Sequence, residues 1–296
     1  MTIHLDRLER PPGVAAPAAV LSPAAVAGAG TPSLTTWCEL WLLAEDDVEQ
    51  VCERLDAQRS FSTDELVRLT RLVRPASRRR HLGARIVARW ALARHLGTTP
   101  ADVTFVRDPS GRPALHPRHP PLDFNLTHTE GVIGCAVVPA GRVGLDAETY
   151  PARAEAARLV DVVLTRGERA TVEAAPPDRQ LHLLAEHWVL KEAYTKALGL
   201  GLRHPFDSFE IRDIGDAPTI HDPRGAVRPA PGLGLTVMHS RSGHVMAVAT
   251  QPASGPAAPR AAPVRVHLVD AALTLTGWSG ATAAVLPHRA VSGQAR

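Results

Sequence analysis

Two carboxylates stand two residues apart in RVGLDAE, at Asp146 and Glu148. In a strand, side chains at i and i+2 point to the same side, so the pair repels unless it shares a cation. Oxygen-only donors suit Mg²⁺, which takes one or two carboxylates together with phosphate oxygens and water. A solvated strand end is the plainer reading of the pair alone. WVLKEAYTK adds a third acid: Trp188, Glu192 and Lys196 are four apart and share a helix face. Lys191 lies about 100° round from Glu192. Alone, Glu192 and Lys196 read as a surface ion pair, yet Lys191 and Lys196 are the only lysines in the chain. The run Thr127-His128-Thr129 offers two hydroxyls and an imidazole to phosphate oxygens, or a structural histidine. Arg78 to Arg80, with Arg85 and Arg89, fit a phosphate cradle or a solvated helix face. His182 and His187 fail as zinc ligands: five apart, they diverge by about 140° around a helix.

These residues need elements to hold them. WCELWLL (Trp37 to Leu43) predicts a strand. Leu82, Ile86 and Trp90 mark the buried face of a helix, with Arg78, Arg85 and Arg89 on another face and Gly97 as its stop. DPSGRP (Asp108 to Pro113) is a turn. FNLTHTEGVIGCAVV (Phe124 to Val138) reads as a polar corner running into a strand, and Arg142 to Glu148 as a short strand. One helix is expected over Ala152 to Glu173, broken by Pro176 and Pro177, and the next over Arg179 to Leu198. Strands are expected at Phe206 to Ile211 and Leu235 to Thr250. HTEGVIGCAVV from His128 echoes HSRSGHVMAVAT from His239. Either two small-residue strands coincide, or two similar halves flank a ligand cleft.

The bulk properties set limits. The chain has 296 residues, enough for one large domain or two ordinary ones, and 45% are apolar. A net charge of +3 is too mild to imply nucleic acid. Three scattered cysteines give neither a disulfide framework nor a zinc site, and fit a reducing, cytoplasmic setting. No apolar run is long enough for a membrane span, and no secretory signal pattern opens the chain. The expected organisation is a flexible leader over 1–33, an N-terminal half over 34–140, a C-terminal half over 141–252, and a linker and tail of unknown structure over 253–296.

In order, GRP (Gly111 to Pro113), FNLTHT, VGLDAE and WVLKEAYTKALGLGL resemble the motifs of the Sfp-type 4′-phosphopantetheinyl transferase family, over roughly Trp37 to Thr250. The resemblance implies an α/β (α+β) fold of two pseudo-duplicated halves with the active site between them. It implies Mg²⁺, coenzyme A as donor, and a serine of an apo acyl or peptidyl carrier protein as acceptor. The default setting is polyketide or nonribosomal peptide synthesis, by a monomer without nucleic-acid or membrane partners. By motif position, Asp146, Glu148 and Glu192 match the metal carboxylates. Lys191, Lys196 and His128 match residues that meet the pyrophosphate, and Thr127 stands for the usual serine. Arg80 and Arg85 match residues that hold the 3′-phosphate, and Arg112 replaces the usual lysine of the GRP turn. Glu192 and Lys196 are the expected catalytic pair, as base and charge stabiliser. The carrier is expected to dock around Glu148 to Val172. The alternative is a non-enzymatic basic binder of nucleic acid or acidic proteins, using Arg74 to Arg94.

Overall fold

The computed structural model describes residues 2–5, 37–109, 111–139, 141–214, 217–221, 233–240, 242–251 and 264–269. In chain order the elements are β1 (Thr2–Leu5), β2 (Cys38–Ala44), α1 (Val48–Arg54), α2 (Thr63–Arg71), α3 (Pro75–Leu96), β3 (Phe105–Arg107), β4 (Pro113–Leu115), β5 (Asp123–Thr129), β6 (Val132–Val138), β7 (Arg142–Thr149), α4 (Arg153–Val163), α5 (Arg166–Ala174), α6 (Pro177–Leu198), β8 (Glu210–Arg212), β9 (Thr219–His221), β10 (Gly234–Ser240), β11 (His244–Gln251) and β12 (Val264–Val269).

The two halves repeat one plan. Each centres on a 22-residue helix, α3 or α6, that begins on proline and stops at a glycine with positive φ, Gly97 or Gly199. Proline at N1 loses no helical hydrogen bond, and glycine takes the left-handed cap without strain. Helix α3 packs on a sheet of order β12-β2-β6-β5, and α6 on a sheet of order β1-β10-β11-β7. The sequence echo falls on equivalent hairpins, β5–β6 and β10–β11.

Three apolar cores fill the layers. In β2, Trp41 and Leu43 face α3 with Ile133, Cys135 and Val137. Leu40 and Leu42 point the other way, into a core shared with Leu145, Ala147, Met238, Met246 and Val248 of the second sheet. The sheets thus stack back to back, with a helix outside each. Burial on both faces explains why these strands read as unbroken apolar runs rather than alternating ones. The third core lies between α6 and its sheet, around Val189, Leu190, Tyr194 and Phe209.

Several expectations change. The predicted helix over Ala152 to Glu173 is two helices, because Thr165 caps α5 in a box with Glu168. Phe206 to Ile211 is a 3₁₀ turn followed by a short strand. The expected corner at Thr127 to Thr129 is strand, and the turn comes at Glu130 and Gly131. Within the expected leader, Thr2–Leu5 pairs with β10 in parallel, and within the expected tail Val264–Val269 pairs with β2. The rest of the expected leader through residue 33, and residues 253–263 and 270–296 of the expected linker and tail, lie outside the described residues.

Candidate active site at the seam

The two sheets meet along β5 and β7, which are not paired through their backbones. Side chains bridge the gap instead. Val143 N–H donates to Asp123 Oδ2 at 2.7 Å, and Leu145 N–H to Asn125 Oδ1 at 2.8 Å. One step on, Thr127 Oγ1 donates to Asp146 Oδ1 at 3.3 Å and Thr129 Oγ1 to Glu148 Oε2 at 3.0 Å. Residues 123, 125, 127 and 129 share one side of β5 through the two-residue strand period. That ladder aims Asp146 and Glu148.

The other wall is α6. A Cβ added at Gly144 would lie 1.8 Å from Ala193 O, so helix and strand touch backbone to backbone. This close approach lets Lys196 Nζ reach Asp146 Oδ1 at 2.6 Å and Leu145 O at 3.1 Å. A cleft of ≈ 460 Å³ opens between the halves, lined by Thr127, His128, Asp146, Glu148, Glu192 and Lys196, with Arg85 from α3. The sequence motifs thus converge from both halves onto one hollow.

Its electrostatics are unbalanced. Burial raises the Asp146 carboxyl above the usual range, against the pull of Lys196. Glu148 is raised by burial and then by repulsion from Asp146. Glu192 is also raised, chiefly by burial, with Lys196 opposing and Asp146 adding to it. His128 is held below the ordinary imidazole value by burial, with Arg80 and Lys196 contributing. Asp146 is only 4% exposed, and its Oδ2 is buried with no hydrogen-bond partner. Among the described residues no three acidic, imidazole or thiol groups form a closed metal cage. A divalent ion arriving with phosphate oxygens needs only one or two carboxylates. The orphaned Asp146 oxygen and the oxygen-only donor set fit such an ion.

Not every expected residue joins this cluster. Lys191 is fully buried on the far side of α6, its ammonium 2.5 Å from Glu168 Oε2 and within hydrogen-bond distance of the carbonyls of Val163, Phe206 and Phe209. Its ammonium has no face toward the cleft, which corrects the expected pyrophosphate contact. Arg112 is likewise placed elsewhere: its guanidinium is taken up by backbone carbonyls and Asp123 at the seam. Arg80 donates through Nε to Glu45 at 2.7 Å, and Arg85 pairs with Glu65 at 3.7 Å while still lining the cleft. Arg78 donates to Leu69 O, Arg79 pairs with Glu45, and Arg89 binds Glu65 and Val103 O. Arg85 and Arg89 are thus engaged inside the protein, whereas Arg74, Arg78 and Arg94 are exposed. The expected carrier region is α4, α5 and the end of β7, where a second hollow of ≈ 340 Å³ shares Glu148 and Trp188 with the first.

Sequence reasoning missed His81 and Arg107, which also line the cleft. His81 directly follows the three arginines on α3, a signal that was available. Arg107 ends a three-residue strand that no periodicity reveals.

The sequence model of the 4′-phosphopantetheinyl transferase superfamily matches residues 142–248. The 4′-phosphopantetheinyl transferase HetI of Nostoc sp. is 29% identical over 212 residues, covering 71% of this chain and 86% of that protein. A 4′-phosphopantetheinyl transferase of Bacillus subtilis is 31% identical over 145 residues, covering 47% of this chain and 62% of that relative, less than two thirds of its length. A holo-(acyl-carrier-protein) synthase from Bacillus anthracis, solved in complex with CoA (3′,5′-ADP), overlaps with a TM-score of 0.32 at 22% identity, over 38% of this chain and 96% of that one. Over residues 142–248 the chain is similar to the 4′-phosphopantetheinyl transferase superfamily, and it aligns with HetI along most of both lengths, with Asp146, Glu148, Glu192 and Lys196 gathered in one cleft.

Proposed function

We propose that the chain transfers the 4′-phosphopantetheine group of coenzyme A to a serine of an apo carrier protein, releasing 3′,5′-ADP. The observation that carries this reading is the convergence of Asp146, Glu148, Glu192 and Lys196, from a strand and a helix, on one cleft between the halves. Carriers of secondary-metabolite synthases, polyketide or nonribosomal peptide, are the proposed substrates, and a monomer is the proposed state.

Asp146 and Glu148 would hold Mg²⁺, whose charge would offset that of the pyrophosphate and relieve the carboxylate repulsion, with Glu192 as the expected third acid beside them. The chain's own groups do the rest. The serine oxygen attacks the phosphorus next to pantetheine, and the bond to the bridging oxygen breaks with 3′,5′-ADP leaving. Glu192, its carboxyl raised by burial, is the proposed acceptor of the serine proton. Lys196 has three N–H donors, and two are spent on Asp146 and Leu145. The third is free for a phosphate oxygen or the leaving oxygen, where charge develops. His128 and Thr127 line the same cleft to orient phosphates, Arg85 in its wall offers positive charge for the 3′-phosphate, and Arg80 is proposed to add to it. Carrier docking is assigned to the Glu148 to Val172 face.

The test is intact-mass analysis of an apo carrier incubated with the chain, CoA and Mg²⁺. A mass gain of one phosphopantetheine on the serine supports the reading. Salt-dependent nucleic-acid binding without any gain would replace it with the basic-binder alternative.

A further inference from the structure

The GRP turn presents an arginine whose terminal nitrogens are turned into the protein. Asp108 and Arg112 close the turn on each other: Asp108 N–H donates to Arg112 O at 2.9 Å, and Arg112 N–H to Asp108 Oδ1 at 2.9 Å. Gly111 takes the positive φ of 86° that this reversal requires. The side chain then runs into the seam and is 12% exposed. Its Nη1 donates to Lys196 O at 2.8 Å. Its Nη2 lies 2.9 Å from Asp123 Oδ2, 2.5 Å from Phe124 O and 2.9 Å from Val143 O.

Those acceptors belong to three elements. Asp123 and Phe124 open β5, Val143 opens β7, and Lys196 sits in the last turn of α6. Each is close to a working group. Asp123 also accepts from Val143 N–H, so the arginine and the first rung of the β5–β7 ladder share one carboxylate. Val143 lies three residues before Asp146. Lys196 is gripped at its carbonyl by Arg112 while its ammonium grips Asp146.

We infer that Arg112 is a positioning residue, a clamp that fixes β5, β7 and α6 relative to one another and so sets the distance between Asp146 and Lys196, and that it does not bind coenzyme A. A planar fork with five donors can span these acceptors, whereas the single ammonium of a lysine cannot. The catalytic part of this inference rests on the proposed transfer reaction; the structural part does not.

The experiment compares wild type, Arg112→Ala, Arg112→Lys and Asp123→Asn. It reads kcat, KM for CoA, the preference for CoA over 3′-dephospho-CoA, and amide exchange of residues 142–149. The clamp predicts that kcat falls by about 10²-fold, as for a misplacement on the order of 1 Å. KM for CoA and the dephospho-CoA preference stay within about twofold, because no ligand contact is lost. Exchange at Val143 and Leu145 speeds up, and Arg112→Lys behaves like Arg112→Ala. Asp123→Asn gives a weaker version of the same pattern.

A raised KM with kcat retained, loss of the dephospho-CoA preference, or rescue by Arg112→Lys would overturn the clamp in favour of a phosphate ligand. Should Arg112→Ala not fold, Arg112→Lys and Asp123→Asn give the same split. Should wild type show no transfer, the proposed function fails. Amide exchange then decides the clamp by itself: unchanged protection at Val143 and Leu145 in Arg112→Lys refutes it.

Discussion

Replacing Lys191 with methionine keeps the length of the side chain and removes its charge. Lys191 is fully buried, and its ammonium lies among Glu168 Oε2 and the carbonyls of Val163, Phe206 and Phe209. Those acceptors come from the end of α4, the start of α5 and the turn before β8, so one ammonium ties three segments to α6. Removing one partner of a buried ion pair costs about 3–5 kcal/mol, because the other charge stays behind. Glu168 is not wholly abandoned, since it keeps the N–H groups of Thr165 and Ile211 and the nearby His187 ring. The cost therefore belongs at the low end, about 3 kcal/mol. For a protein of this size that lowers Tm by roughly 6–12 °C. The double variant with Glu168→Gln should recover part of the loss, because the orphaned charge goes too. The assays are thermal melting and calorimetric CoA binding at a temperature where the variant is folded. The reasoning predicts the melting shift, with CoA affinity within about twofold of wild type. A melting temperature unchanged by the substitution, together with a large loss of CoA affinity, would refute it and return Lys191 to the phosphates.

Three further outcomes follow from the same geometry. Glu168 is held at about 2, below its ordinary 4.5: burial opposes the shift, and the His187 and Lys191 contacts win. A depressed carboxylate stabilises the fold above its unfolded pKa, so stability should fall as pH drops from about 4.5 toward 2, by roughly 3 kcal/mol in all. Acid unfolding of wild type against Glu168→Gln measures it, and equal acid slopes would count against it. Gly144→Ala drives a methyl into Ala193 O; overpacking there should cost about 1–3 kcal/mol or more and depress turnover with it, read by melting and transfer rate. Asp146→Asn removes a carboxylate whose charge the fold disfavours, so it should raise the metal-free melting temperature while abolishing transfer. Added Mg²⁺ with CoA should raise Tm in wild type and not in this variant.

The motifs were legible because chemistry constrains residue type and spacing together. Asp146 and Glu148 two apart in a strand, and Glu192 and Lys196 four apart on a helix, face one way by period alone, and the structure brings both pairs to one cleft. The direction of neighbours was not legible. Lys191 lies only about 100° from Glu192 on a helix, enough to turn it into the opposite core. Arg112 looks like a surface basic residue in a turn, and only the meeting of three distant segments shows what its fork holds. The break at Thr165 hid inside a helical pattern, because a capping box of Thr165 and Glu168 also reads as ordinary helix surface. Thr127 to Thr129 reads as a corner by polarity, yet these hydroxyls point across a seam to β7, where a strand can afford polar side chains.

The proposed function requires the cleft at Asp146, Glu148, Glu192 and Lys196 to be a phosphopantetheinyl transfer site. The direct measurement is the intact mass of an apo carrier protein after incubation with CoA, Mg²⁺ and either wild type or Asp146→Ala. Wild type is expected to convert the carrier, with the gain of one phosphopantetheine on its serine, and the variant is expected to give no conversion. Equal conversion by Asp146→Ala, or a carrier left unmodified by wild type that binds CoA normally, would contradict the proposed function.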